Sequence, residues 1–381
     1  MQRDSTSGDD VRTALRRFGS RVRNSPLVVG AMSAVPAEGA VILRYHSVND
    51  DPGWIHDYVQ RSLAVPPDVF DRQMRLLARH RTVVGIGDLA DLARSRRRID
   101  RRLAAVTFDD GYEDNYRHAL PILRRHGLTA AFYVTTGSVD DATVLWTVRL
   151  RFMIRKCRLK SLALSFTGER ALDVSTTEAR ENAIRLITGV VKRSDARDAD
   201  AMLSEVEEAC GVPPSTIDRR VMMNEAEIRG LHEAGMTVGS HTAGHYNLPS
   251  IETRDVATEL GDSKEFLERV TGAPVDHFAY PDGRTGRHFD GRVSRLVAMA
   301  GYRSAVTSVT GPASSCYSEY SIPRLGVTRK HSDVRRLAAD IQYARFTRPS
   351  DDVFDEVRSM SGGSGDGDGN GGGARPRPVR P

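Results

Sequence analysis

The feature that most restricts this chain is an alternation. Short β-like apolar runs occur at 40–45, 103–108, 130–135, 236–240, 277–280 and 303–307. Between them lie stretches whose apolar residues recur at helical spacing. Asp68 is expected to cap a helix with Phe70, Met74, Leu77 and Ala78 on one face. Helices are also expected over 116–125, 225–233, 256–270 and 293–300, several of them closed by glycine (Gly127, Gly235, Gly272, Gly301). Strand–helix alternation of this kind predicts an α/β domain with parallel strands, curled into a barrel. Residues 141–222 break the rhythm with a mainly helical pattern. They read as an insertion over one mouth of the barrel rather than as a separate domain.

The 381-residue length alone would allow two or three domains, but single α/β barrels commonly exceed about 250 residues. Three units are expected: an extension over 1–39, the main domain over 40–345, and a C-terminal segment over 346–381. The last 21 residues hold eight glycines and almost no large apolar side chain, so disorder is expected from about 361. No run of 18 apolar residues is free of charge, which excludes a transmembrane helix by pattern. No secretory signal is recognisable, so a cytoplasmic location is expected, with peripheral association at a membrane left open. The net charge of +5 is mild for this size and gives no reason to expect nucleic acid. The densest basic run, Arg94 to Arg102, reads as a solvated helix end, with an anion-binding patch as the alternative. Three cysteines without a C-x-x-C exclude a disulfide framework and a thiolate zinc site.

Active sites of parallel α/β folds lie at the carboxyl ends of strands. Three clusters fall there. Thr107-Phe-Asp-Asp-Gly-Tyr112 follows an apolar strand, with Gly111 allowing a sharp turn. Its adjacent carboxylates, Asp109 and Asp110, repel each other, so a shared cation is one reason to keep both ionised; capping of the next helix is another. Ser240-His-Thr-Ala-Gly-His245 places His241 and His245 four residues apart, on one face if the turn is helical. Two imidazoles and a carboxylate suit zinc or a similar divalent ion. Leu43-Arg-Tyr-His-Ser47 ends the first strand, and His46 has an ordinary pKa suited to proton transfer near neutrality.

The T-F-D-D-G and S-H-T-x-x-H motifs, in that order, resemble the polysaccharide deacetylases of the NodB-homology type, carbohydrate esterase family four. The likeness extends loosely from Val41 to about Arg329. It is strongest to exopolysaccharide-type members that begin with a strand ending in Tyr-His and carry F-A-Y-P-x-G, here Phe278 to Gly283. The resemblance implies a distorted (β/α) barrel with a helical insertion. It also implies a hydrolase that removes acetyl groups from N-acetylated, secondarily O-acetylated, sugars of a polysaccharide or its precursor. By the same resemblance Asp109 is the base; Asp110, His241 and His245 bind one divalent metal ion, zinc first and cobalt, nickel or manganese next. His46 stands in for a histidine found elsewhere in a C-terminal Leu-x-His, which is missing here. Tyr112, Tyr280 and Pro281 are expected at the substrate, with a backbone N–H near Tyr112 facing the oxyanion. Where the family often carries an arginine before x-Pro, this chain has Ala279, so another arginine must steady the base. Arg324 is the candidate, with Arg44 and Arg284 as rivals. A catalytically silent glycan-binding copy and a metal-dependent phosphodiesterase are the competing functions. The intact Asp–His set disfavours the first, and the modest charge with a single triad the second.

Overall fold

The computed structural model describes residues 39–141, 144–168 and 171–344. The expected extension before residue 39 and the segment from 346 onward lie outside the described residues.

Among the described residues eight strands build one parallel sheet, seven of them in one continuous order. The seven are β1 (Val41–Tyr45), β2 (Leu103–Phe108), β3 (Ala131–Val134), β4 (Thr237–Ser240), β5 (His277–Ala279), β6 (Ser304–Val306) and β7 (Leu325–Gly326). Their order is β6-β5-β4-β3-β2-β1-β7. All six β-like runs in the sequence are strands. A two-residue strand, Thr82–Val83, pairs with the start of β2. β7 is too short to give a period, yet it bends the sheet round. Leu325 and Gly326 pair with Leu43 and Arg44 of β1, while Ile322 just before them bridges Val306 of β6. Both edges therefore meet the same segment, and the sheet closes as a distorted barrel.

Strand alternation sorts the side chains. Val41, Leu43, Tyr45, Val106, Phe108, Phe132, Val134 and Phe278 are buried in the large core with the surrounding helices. The other parity places Ile42, Ala105, Ala131, Tyr133 and Ala279 together in a second cluster. Small residues dominate that second set because a narrow barrel leaves little interior volume. Gly239 belongs there as well: a Cβ on it would lie 2.6 Å from the Tyr133 ring and 2.7 Å from the His277 carbonyl.

The expected helices form with shifted ends. The helix over Pro67–His80 has Pro66 at its cap, and no side chain caps it. Asp68 instead sits in the first turn and pairs with Arg72, because the two prolines already preset the entry. The segment 115–125 opens as a π turn before becoming α-helical at Leu120. Helices Glu225–Glu233, Thr253–Thr271 and Gly291–Met299 match expectation closely. No helix among the described residues is long and apolar enough to cross a membrane.

The described residues of 141–222 contain three α-helices, Trp146–Lys156, Thr177–Val191 and Ala196–Cys210, and a small antiparallel pair, Ser161–Leu162 with Leu172–Asp173. They carry an apolar core of their own that includes Leu150, Ile154, Ile187, Leu203 and Val206. The free thiols Cys157 and Cys210 lie in that core.

Candidate active site

β2 ends at Phe108, and the two aspartates that follow leave in different directions. Asp109 continues the strand's inward parity. Its carboxylate accepts two hydrogen bonds from Arg324, from Nη1 at 2.6 Å and Nη2 at 2.7 Å. Arg324 is 0% exposed and is held along its length: Nε donates to the Thr307 carbonyl and Nη1 also to Thr107 Oγ1. Burial alone would raise the Asp109 pKa, but the Arg324 guanidinium overrides it and holds the carboxyl at about 2. Arg44 approaches Asp109 only to 4.0 Å and donates to Ser308 Oγ instead. Arg284 is exposed. Of the three arginines proposed for this role, the structure brings Arg324 to the carboxylate.

Asp110 turns the other way. Its φ of +76 and that of Gly111, +90, make the sharp turn. A Cβ at Gly111 would also press on Val134 Cγ1 at 3.1 Å. The turned carboxylate meets both imidazoles, with Oδ1 at 3.5 Å from His241 Nε2 and 3.3 Å from His245 Nε2. The histidines do not converge through a helical turn. They sit in a loop after β4 in which Thr242 and His245 both have positive φ, at +69 and +59. His241 Nδ1 is hydrogen-bonded to the Ala279 carbonyl at 2.7 Å, which directs Nε2 toward Asp110. Burial disfavours the charged form of His245, but the adjacent Asp110 prevails and raises its pKa. Burial likewise opposes ionisation of Asp110, and the two imidazoles hold its carboxyl well below the ordinary value.

These three donors fit a metal ion. Bonds of 2.0–2.1 Å in a tetrahedral site put neighbouring ligand atoms about 3.3–3.4 Å apart, close to the spacing of Asp110 Oδ1 from the two Nε2 atoms. Among the described residues this is the only group of three such side chains close enough to share an ion, and all three are buried.

The other expected residues divide. His46 lies beside the cluster, and its buried Nδ1 has no hydrogen-bond partner. Desolvation pushes its pKa down to about 4, so the imidazole is neutral near pH 7 and not poised there, as its ordinary value suggested. The Tyr112 ring is buried with Trp54, Val148 and Phe152, and its hydroxyl interacts with Asp110. The backbone bonds Glu113 N–H to Val221 O and Met223 N–H to Gly111 O flank Tyr112 and leave its own N–H facing away from residues 221–223. Tyr280 is not at the cleft. It is fully buried, stacks on Phe289 at 4.4 Å and donates its hydroxyl to the Tyr320 carbonyl, because its strand parity turns it to the helix side. Pro281 is buried next to Asp282, at the end of β5.

Several site residues were not foreseen. Glu259 accepts from the N–H groups of Ala243 and Gly244 and so pins the histidine loop. Trp146 donates Nε1 to the His245 carbonyl at 3.1 Å. Lys192, also from the insertion, pairs with Asp282 at 2.5 Å. The Pro-Asp-Gly turn was the one local signal for Asp282; the partners of the others lie far away in sequence.

Fold and site together define a class: an α/β barrel with a buried carboxylate–imidazole centre at the carboxyl ends of its strands. The family model described as polysaccharide deacetylase matches residues 96–161 and 215–305. Over those residues the chain carries a polysaccharide deacetylase domain, the domain of a family of hydrolases. The break in that match, 162–214, falls within the helical insertion. YxkH of Bacillus subtilis, named for the same family, is 20% identical over 288 residues, 75% of this chain and 71% of that one. Two solved structures share the fold. The Streptococcus pyogenes deacetylase PplD in complex with acetate has a TM-score of 0.53 at 18% identity, covering 80% of this chain and 99% of that chain. IcaB from Ammonifex degensii has a TM-score of 0.52 at 18% identity, covering 80% and 97%.

Proposed function

We propose that this chain is a metal-dependent deacetylase acting on N-acetylated sugars of a polysaccharide or its precursor, with ester-linked acetyl groups open to the same residues. One observation supports this above the rest. A carboxylate and two imidazoles at metal-ligand spacing stand next to a second carboxylate that is kept ionised and is turned away from them. Residues 40–345 form the catalytic domain in this reading, and the insertion 141–222 walls one side of its mouth through Trp146 and Lys192.

Asp110, His241 and His245 would hold one divalent ion, zinc first, although the same donors accept cobalt, nickel or manganese. Such an ion supplies Lewis acidity toward the acetyl carbonyl and toward water. Asp109 accepts the proton of the attacking water, and Arg324 fixes its orientation. The Tyr112 N–H donates to the oxygen that gains charge. His46 enters neutral. Desolvation keeps its imidazole neutral, so it is free to take up the proton that Asp109 removes from water. His46 then gives it to the departing nitrogen, leaving acetate and a free amino sugar.

The test is acetate release from N-acetylglucosamine oligomers, with and without a chelator, for the wild type and Asp109→Asn. Wild-type release should stop on chelation and return with zinc. Asp109→Asn should keep its metal and lose about 10²–10⁴-fold in turnover. No release from several acetylated glycans would leave a silent glycan-binding module as the better reading.

A further inference from the structure

A second cavity, about 500 Å³, opens where the insertion meets the segment after β1. Its chemistry differs from that of the candidate active site. Arg61, Arg151, Arg155 and Arg329 line it, against two carboxylates, Glu181 and the exposed Asp50. Counting arginines against carboxylates alone, the wall carries two more positive than negative charges.

The arginines are not all neutralised by one another's partners. Glu181 takes both Nη atoms of Arg151, at 2.6 and 2.9 Å, and Nη2 of Arg155. Its two oxygens are thus already shared among three donors. Arg151 and Arg155 are 5% and 7% exposed, and the buried Nε of Arg155 has no hydrogen-bond partner. Nη1 of Arg329 is likewise buried without a partner. These two N–H groups are closed off from the cavity, and what it presents to a ligand is the excess of arginines over carboxylates, with Arg61 exposed and Arg329 half-buried. Thr177, the first residue of a 15-residue helix, lines the same cavity, so a helix N-terminus adds its positive end.

We propose that this cavity is a binding site for an oxyanion, a phosphate or a carboxylate, carried by the glycan substrate or by its carrier. The link to the substrate rests on the reading of the chain as a deacetylase; the anion site itself does not. The helix Trp146–Lys156 connects the two sites. Trp146 at its start touches the histidine loop, and Arg155 lies nine residues on, about 13 Å at 1.5 Å per residue. The site therefore selects acetylated glycans that carry an acidic group near the sugar being processed.

The experiment is calorimetric titration of the full chain with inorganic phosphate and, separately, with glucuronate. The comparison proteins are Arg61→Gln/Arg329→Gln, which alters the less buried arginines, and Asp110→Ala. At least one anion should bind the wild type. Its affinity should fall at least tenfold in the double variant and persist in Asp110→Ala. Turnover of a neutral acetylated ester should stay the same in the double variant. Preference for phosphate would indicate a phosphate-bearing carrier, and preference for glucuronate an acidic polymer. Equal affinity in wild type and double variant, or loss of binding in Asp110→Ala, would overturn the proposal, the latter by placing the anion at the histidine cluster. Because binding is read without catalysis, failure here and failure of the deacetylase reading are separable.

Discussion

Asp109 and Asp110 are chemically identical neighbours set to different tasks by what surrounds them. Asp109 faces a guanidinium, and Asp110 faces two imidazoles. Arg324→Gln would take away the guanidinium bonded to Asp109, leaving Arg44 no nearer than 4.0 Å, and the Asp109 pKa should rise above the ordinary 3.8. The acid limb of kcat/KM, which in the wild type follows His46 at about 4 because Asp109 titrates below it, should then move upward as Asp109 becomes the last group to ionise. An unmoved limb would show that Asp109 is not the base. The same pair carries a stability signature. Its folded pKa is depressed, so its stabilisation is present above about 3.8 and lost as pH falls through about 2. Removing one partner of such a buried pair typically costs about 3–5 kcal/mol, so the variant should also melt earlier. On the other side of the turn, Asp110→Ala, His241→Ala and His245→Ala should each lose stoichiometric zinc on dialysis. Their affinity should drop by more than the 10–100-fold typical of groups that only support a ligand. Elemental analysis decides this, and retained metal in any one variant removes that residue from the ligand set.

At the scale of elements, the strands act as rails whose ends aim the side chains. Gly239 in β4 shows how little play they have. Gly239→Ala would push the Tyr133 ring or the β5 backbone, with overpacking of about 1–3 kcal/mol, and His241 two residues later would move with the strand. Both melting temperature and zinc content should fall; wild-type values for both would mean that β4 tolerates the methyl group. The strands themselves were legible because buried parallel strands are continuous apolar runs, and each run in the sequence lies within a residue or so of its strand. The caps were less so, since Asp68 had prolines beside it that preset the helix start without any side-chain bond. The His-x-x-x-His spacing signalled the right pair for an incomplete reason: two left-handed residues, not a helical turn, bring the rings together. Tyr280 was misplaced because the motif containing it was read as a unit, whereas alternation sends its side chain to the helix side. Arg324 could be nominated only among three arginines, because its choice depends on a pairing 215 positions away along the chain. Glu259 and Trp146 left no local trace, as each acts on the backbone of a distant loop.

Across the whole molecule, the barrel and the insertion are joined through the candidate site: Trp146 and Lys192 reach loops of the barrel, and both loops flank His245 or Asp282. Binding of an ion at Asp110, His241 and His245 should therefore stabilise both parts together. At a hundred-fold excess over Kd the gain is about 2.7 kcal/mol, a rise in melting temperature on the order of 5 °C. Zinc should produce that rise in a single transition of the wild type and none in Asp110→Ala; two separate transitions would show that the insertion unfolds independently. The closing of the barrel by β7 bears on biosynthesis. Residues 322–326 both close the sheet and deliver Arg324 to Asp109. A ribosome adding about 5–20 residues per second needs about 10–40 s to travel from the aspartate to its arginine. Throughout that interval the nascent barrel has an open seam and a carboxylate it cannot bury without penalty, so the half-made enzyme is kept from settling into a shut, prematurely folded form until the segment that completes it emerges.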